Sequence, residues 1–509
     1  GCSSTFVPLP PPGWTTCHAY LRRKSRFCSQ EVVPGTDFCA HHAASRIPCP
    51  LDPSHWILAN RLEKHLQVCP ARTKQETLKE CLYFCENINR GSSNGSEGMN
   101  VMDATQQHEW ARRVAQRVLE IHNRLFSPAE SSEEIKNISS SNIPLVDLSQ
   151  VEFHQGLESS IQYHRIKTGG KHHMHQQASL IGHLRRTGAF DHDTSAVITV
   201  LEMGAGRGIL GLLVTGILLA NRENTVKFVM VERNGTRAKA DNVLRSTADA
   251  KKEESGTPPC SSYMSLFHHE GRLTWERIPC DLAHVHVPTV LQQLEQEPNE
   301  GEAQISNPDS SKRQKVTRQQ RILVVAKHLC GAGTDLALRS LRDVRNIHAC
   351  LFATCCHGVC SWNDYVGQNV LRREFHDIPF GAKEFELLRR WSTSANHSTR
   401  GCCCHDEDDH SKQEEEEDDD DGASEHKSVQ DSGKDPLNVN SIIQSLQLKC
   451  GVQDLGRACQ RLLDYGRCEY MREVVFHNEP GIRVEMVHYV STDITLQNTV
   501  VLGYRTEDM

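Results

Sequence analysis

The chain has 509 residues, with 57 Lys and Arg against 65 Asp and Glu for a formal charge of -8, and 21 Cys. That length exceeds one ordinary core, so two or more folded units joined by linkers are expected. The cysteine count in a chain of this size points to metal or thiol chemistry rather than a small disulfide-stapled domain, and the lack of any apolar run of about eighteen residues argues against a membrane span.

The net acidity would oppose a polyanionic partner, but much of it is gathered in Glu414 to Asp421 and in Asp406, Glu407, Asp408 and Asp409. Such a tract repels itself and is expected to be solvated. Outside it the balance is near neutral, with basic clusters at Arg22, Arg23, Lys24 and Arg26, at Arg372 and Arg373, and at Arg389 and Arg390. The chain opens at Gly1 without Met, as a fragment or processed product does, so a targeting signal could precede it.

Residues 1–45 and 46–72 are dense in Cys, His and Pro, which suits two small metal-stapled modules. In the first, Cys17, Cys28, Cys39 and His42 can surround a tetrahedral zinc, with His41 the competing fourth ligand. In the second, Cys49, His55, His65 and Cys69 do the same; His65 and Cys69 stand four apart, one helical turn, and can face one ion. Four protein ligands leave no open position, so both zinc sites are expected to be structural. The basic run beside Cys28 favours phosphate contact.

Residues 73–150 read as a linker carrying one amphipathic helix, His108 to Phe126. From 151 to 509 strand-like and helical runs alternate, the pattern of a parallel sheet with crossover helices. The expected strands are Ala196 to Met203, Lys227 to Glu232, Leu273 to Asp281, Ile322 to Ala326, Ala349 to Thr354 and Glu485 to Tyr489. Segments at about 246–262, 295–320 and 392–436 have the composition of disordered surface insertions.

The sharpest chemical signal is Glu202-Met203-Gly204-Ala205-Gly206-Arg207-Gly208, where an apolar strand enters a Gly-rich turn and leaves as the apolar helix Ile209 to Leu219. An open α/β sheet offers a nucleotide site at such a turn, and glycines let the backbone approach a ligand. Ile209 stands where the dinucleotide pattern has its last glycine. An acid at Glu202 suits the ammonium end of S-adenosylmethionine better than a pyrophosphate. Glu232, ending the second strand, is placed to accept both ribose hydroxyls, and Asp281 to meet the adenine amino group. Two further runs, Lys327-His328-Leu329-Cys330-Gly331 and Thr354-Cys355-Cys356-His357, fall at the ends of the fourth and fifth strands.

With Lys171 to Ser179, the Glu202 to Gly208 turn, both strand-end runs, Leu463 to Arg467 and the two zinc clusters in this order, the chain resembles the eukaryotic tRNA ribose 2′-O-methyltransferases that modify nucleotide 4 of the acceptor stem. Lys171 to Gln177 carries more His than that family's pattern, and Thr495 to Asn498 has Gln497 where the family has an acid.

The resemblance implies a Rossmann-like class I S-adenosylmethionine methyltransferase domain with disordered insertions, behind two zinc fingers of CCCH and CHHC type. It implies S-adenosylmethionine and two structural zinc ions as cofactors and tRNA as partner, in nucleus or cytoplasm. Methyl transfer to a hydroxyl needs in-line alignment and a place for the proton, for which Lys327, His328 and His357 are the candidates. Asp464 and Arg467, one turn apart, read as a helix-surface ion pair. The rival readings are cytosine C5 methylation through a Cys355 thiolate and a non-catalytic zinc-finger RNA-binding protein. Against the first, Pro279-Cys280 falls in the third strand rather than after the fourth; against the second stands the intact set of turn glycines and acids.

Overall fold

The computed structural model describes residues 15–17, 20–21, 26–32, 39, 46–91, 102–126, 145–146, 171–191, 197–220, 224–233, 239–249, 272–296, 320–396, 439–445, 451–492 and 494–506. His41, His42, the acidic tract and nearly all of the three expected insertions lie outside them, and His55 is described only by its backbone. The chain divides into two compact units, one within residues 1–81 and one beginning at Leu82.

In the first unit Tyr20–Leu21 (β1) pairs antiparallel with Arg26–Phe27 (β2), and Cys17, Cys28 and Cys39 are all buried and form a core by themselves. A module this short has little else to bury, so an ion held by such sulfurs would do the work of an apolar core. Arg46–Cys49 (β3) and Asp52–Leu58 (β4) form a second antiparallel pair, followed by Leu62–Val68 (α1) and Pro70–Lys79 (α2). The spacing of His65 and Cys69 predicted one continuous helical turn, yet α1 ends at Val68 and Cys69 is extended, φ -63° and ψ 127°. Pro70 is the reason: its ring disfavours helix in the residue before it while suiting the first position of the next helix.

The second unit is built on an eight-stranded sheet. In chain order its strands are Leu145–Val146 (β5), Val197–Met203 (β6), Thr225–Val231 (β7), Leu273–Ile278 (β8), Gln320–Lys327 (β9), Ile347–Thr354 (β10), Ile482–His488 (β11) and Thr499–Arg505 (β12). Across the sheet they run β5-β11-β12-β10-β9-β6-β7-β8, and only β12 is antiparallel to its neighbours. Each of the six expected strands is present, with ends displaced by a few residues. The seventh full-length strand, β12, was not anticipated.

Side chains alternate between the two faces of every strand. Ile198 and Val200 of β6, Leu323 and Val325 of β9, and Leu351 of β10 share one core with Lys171–Arg186 (α3), Ile209–Ala220 (α4) and Lys239–Asp249 (α5). The opposite face meets Val452–Tyr470 (α6) and the π-helical turn Met471–Val475 that prolongs it: a Cβ at Gly503 of β12 would collide with Met471 and Phe476. Among the described residues no helix is long and apolar enough to cross a membrane.

The helix expected in the linker spans Ala104–Phe126 (α7 here, although it precedes the sheet). Its apolar stripe, Ala111, Val114, Ala115, Val118 and Ile121, is buried in a second core with Phe385, Leu388, Leu455 and Leu462. The helix is therefore an integral layer of the second unit. Replacing Ile121 by Ala should destabilise that unit by about 2–5 kcal/mol in denaturant unfolding, whereas a tethered linker helix would leave its midpoint unmoved.

Candidate active site

Strand order reverses between β6 and β9, so the turns leaving their carboxyl ends part company and leave a crevice. A cavity of about 540 Å³ lies there, with Gly204, Glu232, Asp281, His328, Leu329 and Cys330 among its lining residues. That volume is within the range of small-molecule sites.

The turn after β6 needs its glycines. Gly204, Gly206 and Gly208 have φ of 61°, 49° and 69°, the left-handed region costly for other residues. Gly208 is also fixed by packing, since a Cβ there would stand 2.7 Å from Met230 Sδ and 2.9 Å from Ala240 Cβ. At Gly206 an added Cβ would meet nothing within 4 Å, so this backbone borders open space.

Two acids hold the turn from opposite sides. Glu232, just past β7, accepts the Gly206 N–H at 2.9 Å through Oε2. Glu202 lies behind the turn, buried, and accepts the Gly211 N–H at 3.0 Å from the first turn of α4. Burial pushes the Glu202 carboxyl up to about 8, with Glu232 adding to the push and the Gly211 amide, Arg277 and Lys327 opposing it. Arg277 of β8 completes the clamp, donating to the Gly206 carbonyl at 3.1 Å and pairing through two nitrogens with Asp241 of α5. An Arg inside a strand was its only signal in the sequence.

Asp281 lines the cavity, accepts the Ala283 N–H at 2.8 Å and lies 3.6 Å from the Arg233 guanidinium. His328 is exposed on the rim with φ 65°. Lys327 ends β9 behind it, partly buried, and burial lowers its ammonium to about 8 against the pull of Cys355 and Glu202. Neither Lys327, Glu202 nor His357 is among the residues lining the cavity.

His357 sits in a buried charged network. Its Nε2 lies 2.9 Å from Asp464 Oδ2, which also accepts the Thr354 hydroxyl at 2.9 Å. Arg467 donates to Asp464 at 3.0 Å and, through two nitrogens, to Asp335 at 2.8 and 3.2 Å; Asp335 belongs to Gly333–Ser340 (α8). Asp464 and Arg467 are 1% and 3% exposed, so this pair is interior rather than on a helix surface. Burial alone would raise the Asp464 carboxyl, but His357, Arg467 and Thr354 outweigh it and hold it low. Asp464 is thus an acceptor, and the N–H it takes from His357 is on Nε2, with Nδ1 on the far side of the ring. That Nδ1 is buried and lacks a hydrogen-bond partner among the described residues.

Cys355, the thiol required by the cytosine C5 reading, is partly buried against Cys356 and does not line the cavity. In the first unit, Cys17, Cys28 and Cys39 gather their sulfurs within 4.8 Å, and so do the ligand atoms of Cys49, His65 and Cys69. His65 Nε2 lies 3.3 Å and Cys69 Sγ 3.8 Å from Cys49 Sγ.

Against known proteins, the family profile described as Methyltransferase TRM13 matches residues 175–504. The chain belongs to the TRM13 methyltransferase family. Residues 15–43 match the CCCH zinc finger in TRM13 protein, and residues 46–70 the U11-48K-like CHHC zinc finger. Curated relatives include the tRNA:m(4)X modification enzyme TRM13 homolog of Mus musculus, 25% identical over 98% of this chain and 96% of its own length. The corresponding TRM13 enzyme of Vanderwaltozyma polyspora is 22% identical over 96% and 97%, and the Dictyostelium discoideum homolog 28% identical over 84% and 69%. TRM13 membership makes this chain a methyltransferase with zinc-finger regions at its N-terminal side.

The buried Glu202 gives a pH signature. Between the ordinary value of 4.5 and the folded value of about 8, the folded chain keeps a proton that the unfolded chain releases. Stability is then fullest below the first value and is lost as pH rises through the second. Glu202→Gln retains an acceptor for the Gly211 amide and removes the titration. The parent's melting temperature should fall between about pH 5 and about pH 8 while that of Glu202→Gln stays flatter; parallel profiles would refute the buried proton.

Proposed function

We propose that this TRM13 enzyme transfers a methyl group from S-adenosylmethionine to the ribose 2′-hydroxyl of nucleotide 4 in the tRNA acceptor stem. The observation that carries the reading is Glu232 Oε2 accepting the Gly206 amide at the switch point of the sheet. The sheet supports a Rossmann-like class I domain: β8-β7-β6-β9-β10 is the order 3-2-1-4-5 of the doubly wound fold, followed by a reversed strand. The names of the TRM13 relatives in mouse and yeast support tRNA as substrate and position 4 as target.

The residues present fit the methyl donor. Glu232 binds the turn through one oxygen, and its remaining lone pairs can take two ribose hydroxyls. Asp281 is available to an adenine amino group, and the open space at Gly206 lets a nucleoside approach the backbone. Glu202, behind the turn, supports the cofactor loop through the Gly211 amide. Bound there, S-adenosylmethionine supplies an electrophilic methyl group on a sulfonium.

This chain's own residues then orient the nucleophile and take its proton. His328, on the rim, can hydrogen-bond the incoming hydroxyl. His357 Nδ1, held in one tautomer by Asp464, can accept a proton, and Asp464 would stabilise the imidazolium that results. Lys327, with its ammonium already weakened by burial, is the third group able to hold or release a proton. The two N-terminal regions would each hold a structural zinc, through Cys17, Cys28, Cys39 and His42, and through Cys49, His55, His65 and Cys69.

Glu232→Ala should weaken binding of S-adenosylmethionine about tenfold to a hundredfold, the worth of hydrogen bonds to a carboxylate, without unfolding the chain; unchanged affinity by calorimetry would remove the assignment. With labelled donor and total tRNA, nucleoside analysis should find the label in 2′-O-methylated nucleosides at position 4, and label in a base would redirect the reading. Asp464→Asn should lower kcat by about a hundredfold or more and also lower the melting temperature, because it removes one of the two buried carboxylates that meet Arg467; an unchanged kcat would remove His357 from the proton's path.

A further inference from the structure

Three thiols at the edge of the cavity are not used by the proposed transfer. Cys330 lies in the turn after β9, and Cys355 and Cys356 lie in the turn after β10. Cys330 and Cys356 bring their sulfurs to 3.0 Å, Cys355 and Cys356 to 3.5 Å, and all three fall within 4.8 Å of one another. Cys330 is exposed and lines the cavity, while the other two are partly buried.

The backbone is bent to bring them together. On either side of Leu329 and Cys330, His328 and Gly331 take φ of 65° and 64°, the left-handed region that His enters more readily than most non-glycine residues. Thiol–thiol contacts hold such a cluster only weakly, since S–H is a weak donor, and ionising two of three touching thiols would set like charges side by side.

A soft dication removes both difficulties, because thiolates are its preferred ligands. At about 2.3 Å from each sulfur, such an ion would spread the 3.0 Å pair toward the 3.8 Å separating Cys49 and Cys69 in the first unit. A Cys330–Cys356 disulfide would account for two of the sulfurs and leave the third unexplained.

We propose that Cys330, Cys355 and Cys356 form a three-thiolate site for one zinc ion on the rim of the cavity, its fourth position open to an oxygen ligand. Three protein ligands and one open position are the arrangement of zinc sites that act on ligands, unlike the four-ligand sets of the N-terminal regions. The site belongs to the second unit and is independent of zinc elsewhere in the chain.

Zinc per chain, measured by elemental mass spectrometry on the purified full chain, should be lower by one equivalent in Cys330→Ser and in Cys356→Ser than in the parent. Reading the difference separates this site from the zinc-finger regions and from any measurement of methylation. In the folded parent, Cys330 should resist alkylation until a chelator is added, a readout that needs no variant. The proposal is overturned if the serine variants keep the parent's zinc, if chelation leaves Cys330 alkylation unchanged, or if the intact mass shows the two hydrogens lost to a disulfide.

Discussion

A guanidinium removed from water has to be met by fixed negative charge, and Arg467 is met twice, by Asp335 from α8 and by Asp464 one turn back on its own helix. Taking three charges into the interior is expensive, and the Coulomb gain returns that cost only when geometry is good and remaining donors and acceptors are used. Here they are: both Asp464 oxygens are occupied, by Arg467 on one side and by Thr354 and His357 on the other. The outcome is positional. Helix α6, the helix after β9 and the turn after β10 are tied at one point, so the strand ends that frame the cavity are held in mutual register.

Against that rigid background the glycine turn can be irregular. Three left-handed residues in five cost conformational freedom, and the turn is kept by contacts on each side: Glu232 and Arg277 on Gly206, Glu202 on Gly211, Met230 and Ala240 against Gly208. The two acids differ by environment alone. Glu232 faces the cavity and can serve a ligand; Glu202 is walled in, carries a raised pKa and serves the turn. One strand-end carboxylate binds and the other supports, although the sequence presents both as acids at the end of an apolar run.

Much of the sheet was legible because buried parallel strands write themselves as short apolar runs between helical ones. Strand β12 was not, since Thr499 to Arg505 is interrupted by Gly503 and has no crossover helix before it to mark it. The glycine is explained only in three dimensions, by Met471 and Phe476 lying where a side chain would go. Asp464 and Arg467 were misread for a related reason: one-turn spacing says that two side chains are neighbours, not which way the helix faces. The cluster of Cys330 with Cys355 and Cys356 joins two turns 26 residues apart, a proximity that only the adjacent pairing of β9 and β10 creates. In the first unit the short spacing of Cys17, Cys28 and Cys39, and of Cys49, His65 and Cys69, made their gathering readable.

The placement of β12 carries a further consequence. It is the last of the described strands in chain order, yet it lies inside the sheet, bonded along one side to β10 and along the other to β11, and its partner Thr354 stands 145 residues before Thr499. Until β12 slots in, both neighbours present bare backbone edges, the template on which chains adhere to one another. The β10 side of the sheet therefore cannot close until β12 has been made, and contacts this distant are slow to form. The edge of β10 is thus left bare through the synthesis of everything between Thr354 and Thr499, whereas β11 meets its partner soon after it is made.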